Sequence, residues 1–215
     1  MLDTFFSPQS IAVVGASREP EKLGYSVLAN IQEGGYEGRL YPVNPKADEI
    51  LGLKAYPSVL EIPDPVDLAV IVIPYRFVPA VLKECGQKGI PSVVVISAGF
   101  REAGREGLER ERELIETARK YDLRLIGPNC LGVIDTDTPL NATFAAGMPP
   151  GGPIAFMSQS GALGTAVLDI AMAGRIGFTK FVSLGNKADV SEIDLLEAWG
   201  DDPASRVILI YVEGV

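Results

Sequence analysis

Residues 11–31, IAVVGASREPEKLGYSVLANI, constrain the fold more than any other stretch. Ile11, Ala12, Val13 and Val14 form a short apolar run of strand type, which Gly15-Ala16-Ser17 breaks. Leu23, Val27, Leu28 and Ile31 then recur at helical spacing until Gly34-Gly35 stops the pattern. A strand, a glycine turn and a helix make the first unit of a nucleotide-binding α/β sheet. Such a turn offers free backbone N–H groups at a helix start, where a phosphate is stabilised.

The same alternation continues. Arg39-Leu40-Tyr41 predicts a second strand, ending in Pro42-Val43-Asn44-Pro45-Lys46. Residues 68–73, LAVIVI, are wholly apolar, as expected of a parallel strand buried on both faces, and Pro74-Tyr75-Arg76 follow them. Residues 92–96 predict the next strand, with Ser97-Ala98-Gly99-Phe100 after it. The charged segment 101–107 predicts a mobile surface loop and 108–121 an amphipathic helix. Arg124-Leu125-Ile126 is a fifth strand running into Gly127-Pro128-Asn129-Cys130. Strands alternating with helices predict a doubly wound, Rossmann-like parallel sheet in the α/β class, with ligand contacts at the strand carboxyl ends. Those ends are Gly15, Ala16, Ser17 and Arg18; Asn44 and Lys46; Pro74 and Tyr75; Ser97, Ala98 and Gly99; Asn129 and Cys130.

Residues 135–153 show little periodicity and finish in PPGGP, which predicts a crossing segment. The pattern then restarts with a strand over 154–157, a Ser158-Gln159-Ser160-Gly161 turn and a helix over 162–173. A strand at 181–183, a helix capped by Ser191 and running through Trp199, and a strand at 207–211 complete it. Three parallel strands make a narrow sheet with two open edges. The second domain is therefore expected to be incomplete in this chain, or completed by another.

Charge and composition decide between ligands. A net charge of −9 argues against generic nucleic-acid binding, so an anionic ligand must be held by a few placed cations and by backbone amides. An NAD-binding unit wants an acidic residue after the second strand to hold the ribose; Asn44 and Lys46 stand there instead and suit a phosphate. The first turn also departs from GxGxxG, since the next glycine after Gly15 is Gly24. No apolar run approaches the roughly 18 residues of a membrane helix, and MLDTFF lacks a secretory start. Cys85 and Cys130 alone give no disulfide framework and no metal site, so a cytoplasmic location is expected. The chain has no histidine, which removes His-assisted nucleophile triads, His-metal sites and a histidine phosphate carrier from these 215 residues.

Ser158, Ser160 and Gly161 fit either a plain helix cap or an anion seat at a helix start; a serine nucleophile lacks both GxSxG and a histidine base. Cys130 fits a small buried hydrophobe as well as a reactive thiol, and Glu213 a surface charge as well as a site carboxylate.

Taken in order, FFSPQSIAVVGAS, YPVNPK, VIVIP, VVVISAGF, IGPNCLGV, IAFMSQSGALG, SLGNKADV and IYVEGV span nearly the whole chain. This series resembles the NDP-forming acyl-CoA synthetase superfamily, which includes the succinyl-CoA synthetase alpha subunit and the ADP-forming acetate–CoA ligases. The resemblance implies a coenzyme A-binding domain over 1–130, a linker over 131–153 and part of a flavodoxin-like, phosphohistidine-type domain over 154–215. It implies that Gly15, Ala16, Ser17 and Arg18 meet the coenzyme A phosphates, with Asn44 and Lys46 nearby. Pro74, Tyr75, Ser97, Ala98 and Gly99 would line the adenine and pantetheine path, with Asn129 and Cys130 near the thiol. Ser158, Ser160 and Gly161 would receive a phosphohistidine and Glu213 would orient it, the histidine lying outside this chain. The implied reaction joins a small organic acid to coenzyme A. ATP or ADP and magnesium would enter through an ATP-grasp domain or subunit, in an oligomer. Two other classes share these features: an acyl-CoA-sensing module of an acetyltransferase-like fusion, and a dinucleotide-binding oxidoreductase.

Overall fold

The computed structural model describes residues 2–214. A short helix α1 (Asp3–Phe6) leads into β1 (Ser10–Val14), α2 (Leu23–Glu33), β2 (Arg39–Val43) and a small hairpin, β3 (Glu49–Ile50) and β4 (Leu53–Lys54). β5 (Leu68–Ile71), α3 (Val78–Lys88), β6 (Ser92–Val95), α4 (Arg105–Lys120) and β7 (Arg124–Ile126) complete the first unit. β1, β2, β5, β6 and β7 form one five-stranded sheet in the order β2-β1-β5-β6-β7, every pair parallel. β1 and β5 are buried along their whole length, which explains their unbroken apolar sequences. The chain leaves β1 for β2 on one side and crosses to β5 on the other. The crevice between the β1 and β5 tips is thus a topological switch point, where such sheets hold ligands.

The second unit differs from the sequence expectation. β8 (Gly132–Asp135) and β9 (Leu140–Thr143) precede β10 (Gly151–Ser158), α5 (Gly161–Gly174), β11 (Phe178–Ser183), α6 (Glu192–Gly200) and β12 (Val207–Tyr211). They form a five-stranded mixed sheet in the order β12-β10-β11-β8-β9, with β8 and β9 antiparallel. The stretch 131–153, expected to be a linker, therefore supplies a hairpin that covers one edge of this sheet. Its pattern was hidden because β8 and β9 are buried on both faces and carry polar residues inward. Asp135 accepts from the Asp137 and Thr138 N–H groups, and Asn141 donates to the Gly147 carbonyl, so these polar groups are bonded inside. β12 forms the other edge, with Val207, Leu209, Ile210 and Tyr211 exposed.

Residues 101–107 are not a loose loop either. Arg101–Ala103 form a 3-10 turn and α4 begins at Arg105. The Glu102 carboxylate accepts from the Gly99 and Phe100 N–H groups and ties this turn to the end of β6.

The two sheets share one core, in which Ile11, Val13 and Ile126 of the first pack with Val133, Met157 and Val182 of the second. Backbone bonds stitch β7 and the segment after it to the β11–α6 loop: Asn186 N–H to Pro128 O, Ala188 N–H to Gly127 O, and Val190 N–H to Leu125 O. Arg124 reinforces the seam, with Nε 3.0 Å from Asp189 and Nη2 2.8 Å from Asp194. Burial raises the Asp194 pKa, but the Ser191 and Arg124 hydrogen bonds outweigh it and hold the carboxyl below its usual 3.8. A depressed carboxylate stabilises the fold above its unfolded pKa and loses that contribution as pH falls through the folded one. Arg124→Met is expected to cost about 1–3 kcal/mol at neutral pH, between the surface and buried limits for ion pairs. The gap to wild type should narrow below about pH 4. Urea midpoints at pH 7 and pH 3.5 check both statements, and a gap that widens in acid contradicts them.

Candidate functional site

The β1/β5 switch point and the carboxyl ends of β10 and β12 open onto one cleft of about 1180 Å³. At one end stand the β1 tip (Gly15, Ala16, Ser17), the residues leading into α2 (Lys22, Leu23, Gly24), and Asn44 and Lys46 after β2. The middle is formed by Val72, Ile73, Pro74 and Tyr75 after β5 and Ile96, Ser97 and Ala98 after β6. Asn129, Cys130 and Leu131 close the far end together with Ser160, Gly161, Ala162, Thr165 and Glu213. Residues separated by nearly 200 positions in sequence thus line one cavity because the parallel strands of both sheets turn their carboxyl ends toward it.

The glycine turn is built by close approach. Gly15 has φ +93°, and a Cβ there would lie 2.2 Å from the Val72 carbonyl oxygen. Gly24 lets α2 lie against the turn, since a Cβ on it would lie 1.9 Å from the Gly15 oxygen. α2 starts at Leu23, several residues beyond Gly15, so the helix start sits beside Lys22 rather than directly at the glycine. In between, Ser17 Oγ accepts from the Glu19 N–H at 3.0 Å and shapes the loop. Asn44 braces it, donating to the Ala16 carbonyl at 2.8 Å and accepting from the Lys46 N–H at 2.9 Å. The exposed Lys46 and Lys22 side chains are the cationic groups lining this cleft among the described residues.

In the middle, Ser97 is structural as well as lining: its Oγ donates to the Ile73 carbonyl at 2.6 Å and accepts from the Ile73 N–H at 3.1 Å. Tyr75 lies over Gly99, where a Cβ would meet its ring at 2.5 Å, and under the Arg110 guanidinium, 4.3 Å from the ring centre. Gly99 therefore supports the wall without lining the cavity, and Arg18 is exposed and outside the lining.

At the far end Ser160 is the N-cap of α5, accepting from the Leu163 N–H. Ser158 is fully buried beneath it, its Oγ donating to the Ser160 carbonyl and accepting from the Ser160 N–H, and is absent from the cavity wall. The first turn of α5 thus turns its N-terminal backbone and the positive end of a 14-residue helix toward the cavity. Cys130 is buried and donates to the Val95 carbonyl, and burial pushes its thiol up to about 12, the direction that favours the neutral thiol. A second, smaller cleft of about 670 Å³ lies between the α4 start and the loop at 185–187, and meets the first at Asn129, Gln159 and Glu213.

Sequence reading missed Lys22, Gln159, Leu131, Phe144 and Thr165 in the wall. Gln159 was legible in principle, sitting inside the SQSG turn; the apolar members carry no local signal.

The family model described as "CoA binding domain" matches residues 9–136, and that described as "Succinyl-CoA ligase like flavodoxin domain" matches residues 151–215. The chain is 53% identical to the acetate–CoA ligase (ADP-forming) I subunit alpha of Pyrococcus furiosus, over 100% of this chain and 47% of that protein. It is 50% identical to the acetate–CoA ligase (ADP-forming) of Methanocaldococcus jannaschii, over 97% of this chain and 29% of that one. Its structure is similar to that of a dinucleotide forming acetyl-coenzyme A synthetase 1 from Ca. Korarchaeum cryptofilum in complex with phosphate and ADP. That match has a TM-score of 0.97 at 45% identity and covers 100% of this chain and 46% of the other. The chain spans about half the length, or less, of the relatives it matches.

Proposed function

The chain belongs to the CoA-binding-domain family at the head of the ADP-forming acyl-CoA ligases, and on that premise we propose that its large cleft holds coenzyme A and the reacting acyl group. The observation that carries this reading is the shared lining: Gly15, Ser17 and Lys46 face the same cavity as Ser160, Gly161 and Glu213. Lys22 and Lys46, with the N–H groups of the β1 turn, suit the coenzyme's phosphates. Pro74, Tyr75 and Ala98 offer a path for adenine and pantetheine, leading the thiol toward Asn129 and the α5 start.

In the proposed reaction a phosphate oxygen attacks the thioester carbonyl and the coenzyme A thiolate leaves, giving an acyl phosphate. An imidazole nitrogen then takes the phosphoryl group, releasing the carboxylate, and passes it to ADP; the reverse sequence makes acyl-CoA. The α5 N-terminus stabilises the transferring phosphoryl without a mobile cation, and Glu213 holds the imidazole. The chain contains no histidine, so the carrier belongs to another part of the enzyme, as do the ATP-grasp unit and its magnesium nucleotide. We place the protein in the cytoplasm, in an oligomer. The proposed organisation is a coenzyme A domain before residue 131 and a phosphoryl-transfer domain built around β10 and α5.

Titration calorimetry with coenzyme A, dephospho-coenzyme A and NAD tests the reading. Coenzyme A should bind and NAD should not. Lys46→Ala should weaken coenzyme A by about 1–3 kcal/mol, the range for a charged hydrogen bond. Binding of NAD in place of coenzyme A overturns the function, and an unchanged affinity in Lys46→Ala removes that lysine from it.

A further inference from the structure

The Glu213 carboxylate lines both clefts, yet among the described residues it has no hydrogen-bond or ion-pair partner. Its direction is therefore set by its backbone, which lies just past the end of β12 on the open edge of the sheet. A strand end in that position would ordinarily swing. Here it is tied down by side chains from other elements.

Gln159 supplies most of the ties. Its Oε1 accepts from the Glu213 N–H at 2.9 Å and from the Gly214 N–H at 3.1 Å. Its Nε2 donates to the Gly214 carbonyl at 2.9 Å and also to Glu192. Lys187 adds a bond to the same carbonyl at 2.9 Å and pairs with Glu192 at 3.0 Å. Gln159 is also the residue immediately before the α5 N-cap, and its own N–H donates to the Tyr211 carbonyl at 3.1 Å. One residue thus links the helix start that would seat a phosphoryl group to the strand end that carries the carboxylate.

We infer that Gln159 is a positioning residue that fixes the Glu213 carboxylate relative to the α5 N-terminus; this rests on the role proposed above for Glu213. Only a primary amide of this length meets the geometry, because two N–H groups and one carbonyl must be satisfied by one side chain at once. Glutamate loses the donor and faces Glu192. Asparagine falls one methylene short, and leucine offers neither group. Misplacing a reacting group by an ångström is sufficient to slow a transfer step strongly.

The test uses the complete enzyme, with its histidine-bearing and nucleotide-binding parts, and follows rapid-quench phosphorylation of the carrier histidine. Gln159→Leu is expected to slow that step about 10- to 100-fold while leaving the coenzyme A KM within about twofold. Gln159→Glu, which keeps the side-chain length, should be slowed similarly and guards against a folding defect in the leucine variant. Both should move the pH dependence of the step in the same direction as Glu213→Gln. The double variant Gln159→Leu/Glu213→Gln should be no slower than Glu213→Gln alone, the mark of two residues acting through one group. Additive losses, or a wild-type rate in folded Gln159→Leu beside a slow Glu213→Gln, overturn the inference alone. A wild-type rate in Glu213→Gln overturns the role of that carboxylate and the inference with it.

Discussion

Gly15→Ala is expected to destabilise the protein by about 3 kcal/mol or more and to abolish coenzyme A binding. Two penalties combine. The backbone at φ +93° is unfavourable for a residue with a Cβ, and that Cβ would sit 2.2 Å from the Val72 carbonyl oxygen and 2.7 Å from the Ile73 side chain. Each penalty is worth about 1–3 kcal/mol, and the contact with backbone leaves little room for the cheaper end of the range. For a chain of this size the loss corresponds to a midpoint lowered by roughly 6–12 °C. The effect on the site follows from the same contact, because relieving it parts the β1 and β5 tips that bound the crevice. Gly52 is the control: its φ is +76°, but nothing lies within 4 Å of its added Cβ. Gly52→Ala should therefore cost about 1 kcal/mol and leave coenzyme A affinity intact. Thermal melts and calorimetry on the two variants separate crowding from backbone strain, and equal losses in both would refute the close-packing account of the turn.

Trp199→Ala is expected to cost about 3–5 kcal/mol, the range for truncating a buried aromatic residue. Trp199 is 2% exposed, on α6 of the second unit, and meets Phe6 of α1 edge-on at 5.9 Å between ring centres. It belongs to the core that both sheets share, so its removal loosens the joint between them as well as the helix. Among the described residues its buried indole nitrogen has no hydrogen-bond partner. Trp199→Phe removes that unpaired donor while keeping most of the apolar contact, and should cost less than half as much as the alanine variant. Since Trp199 is outside the cleft wall, coenzyme A affinity measured well below the melting midpoint should stay within about twofold in the phenylalanine variant. Urea denaturation of the pair decides the matter: phenylalanine and alanine variants of equal stability would show that the joint does not depend on the ring.

The local pattern along the chain determined the elements and the chemistry available to them. Unbroken apolar runs at β1 and β5 specify parallel strands covered on both faces, and Gly15 after β1 with Lys46 after β2 departs from the pattern that holds a ribose. Ser160 announced a capped helix start, and these 215 residues carry no histidine of their own. β8 and β9 escaped notice because strands buried on both faces show no alternation, and their polar residues resembled those of a loop. The placement of Ser158 under the wall, of Lys22 in it, and of Gln159 across the end of β12 was equally hidden, since each depends on partners far away in sequence. Only the tertiary structure decided that the strand ends of the two sheets open into a single cleft. That arrangement comes from the backbone bonds between the segment after β7 and the β11–α6 loop and from the shared core. Such long-range pairings leave no period in the sequence on either side.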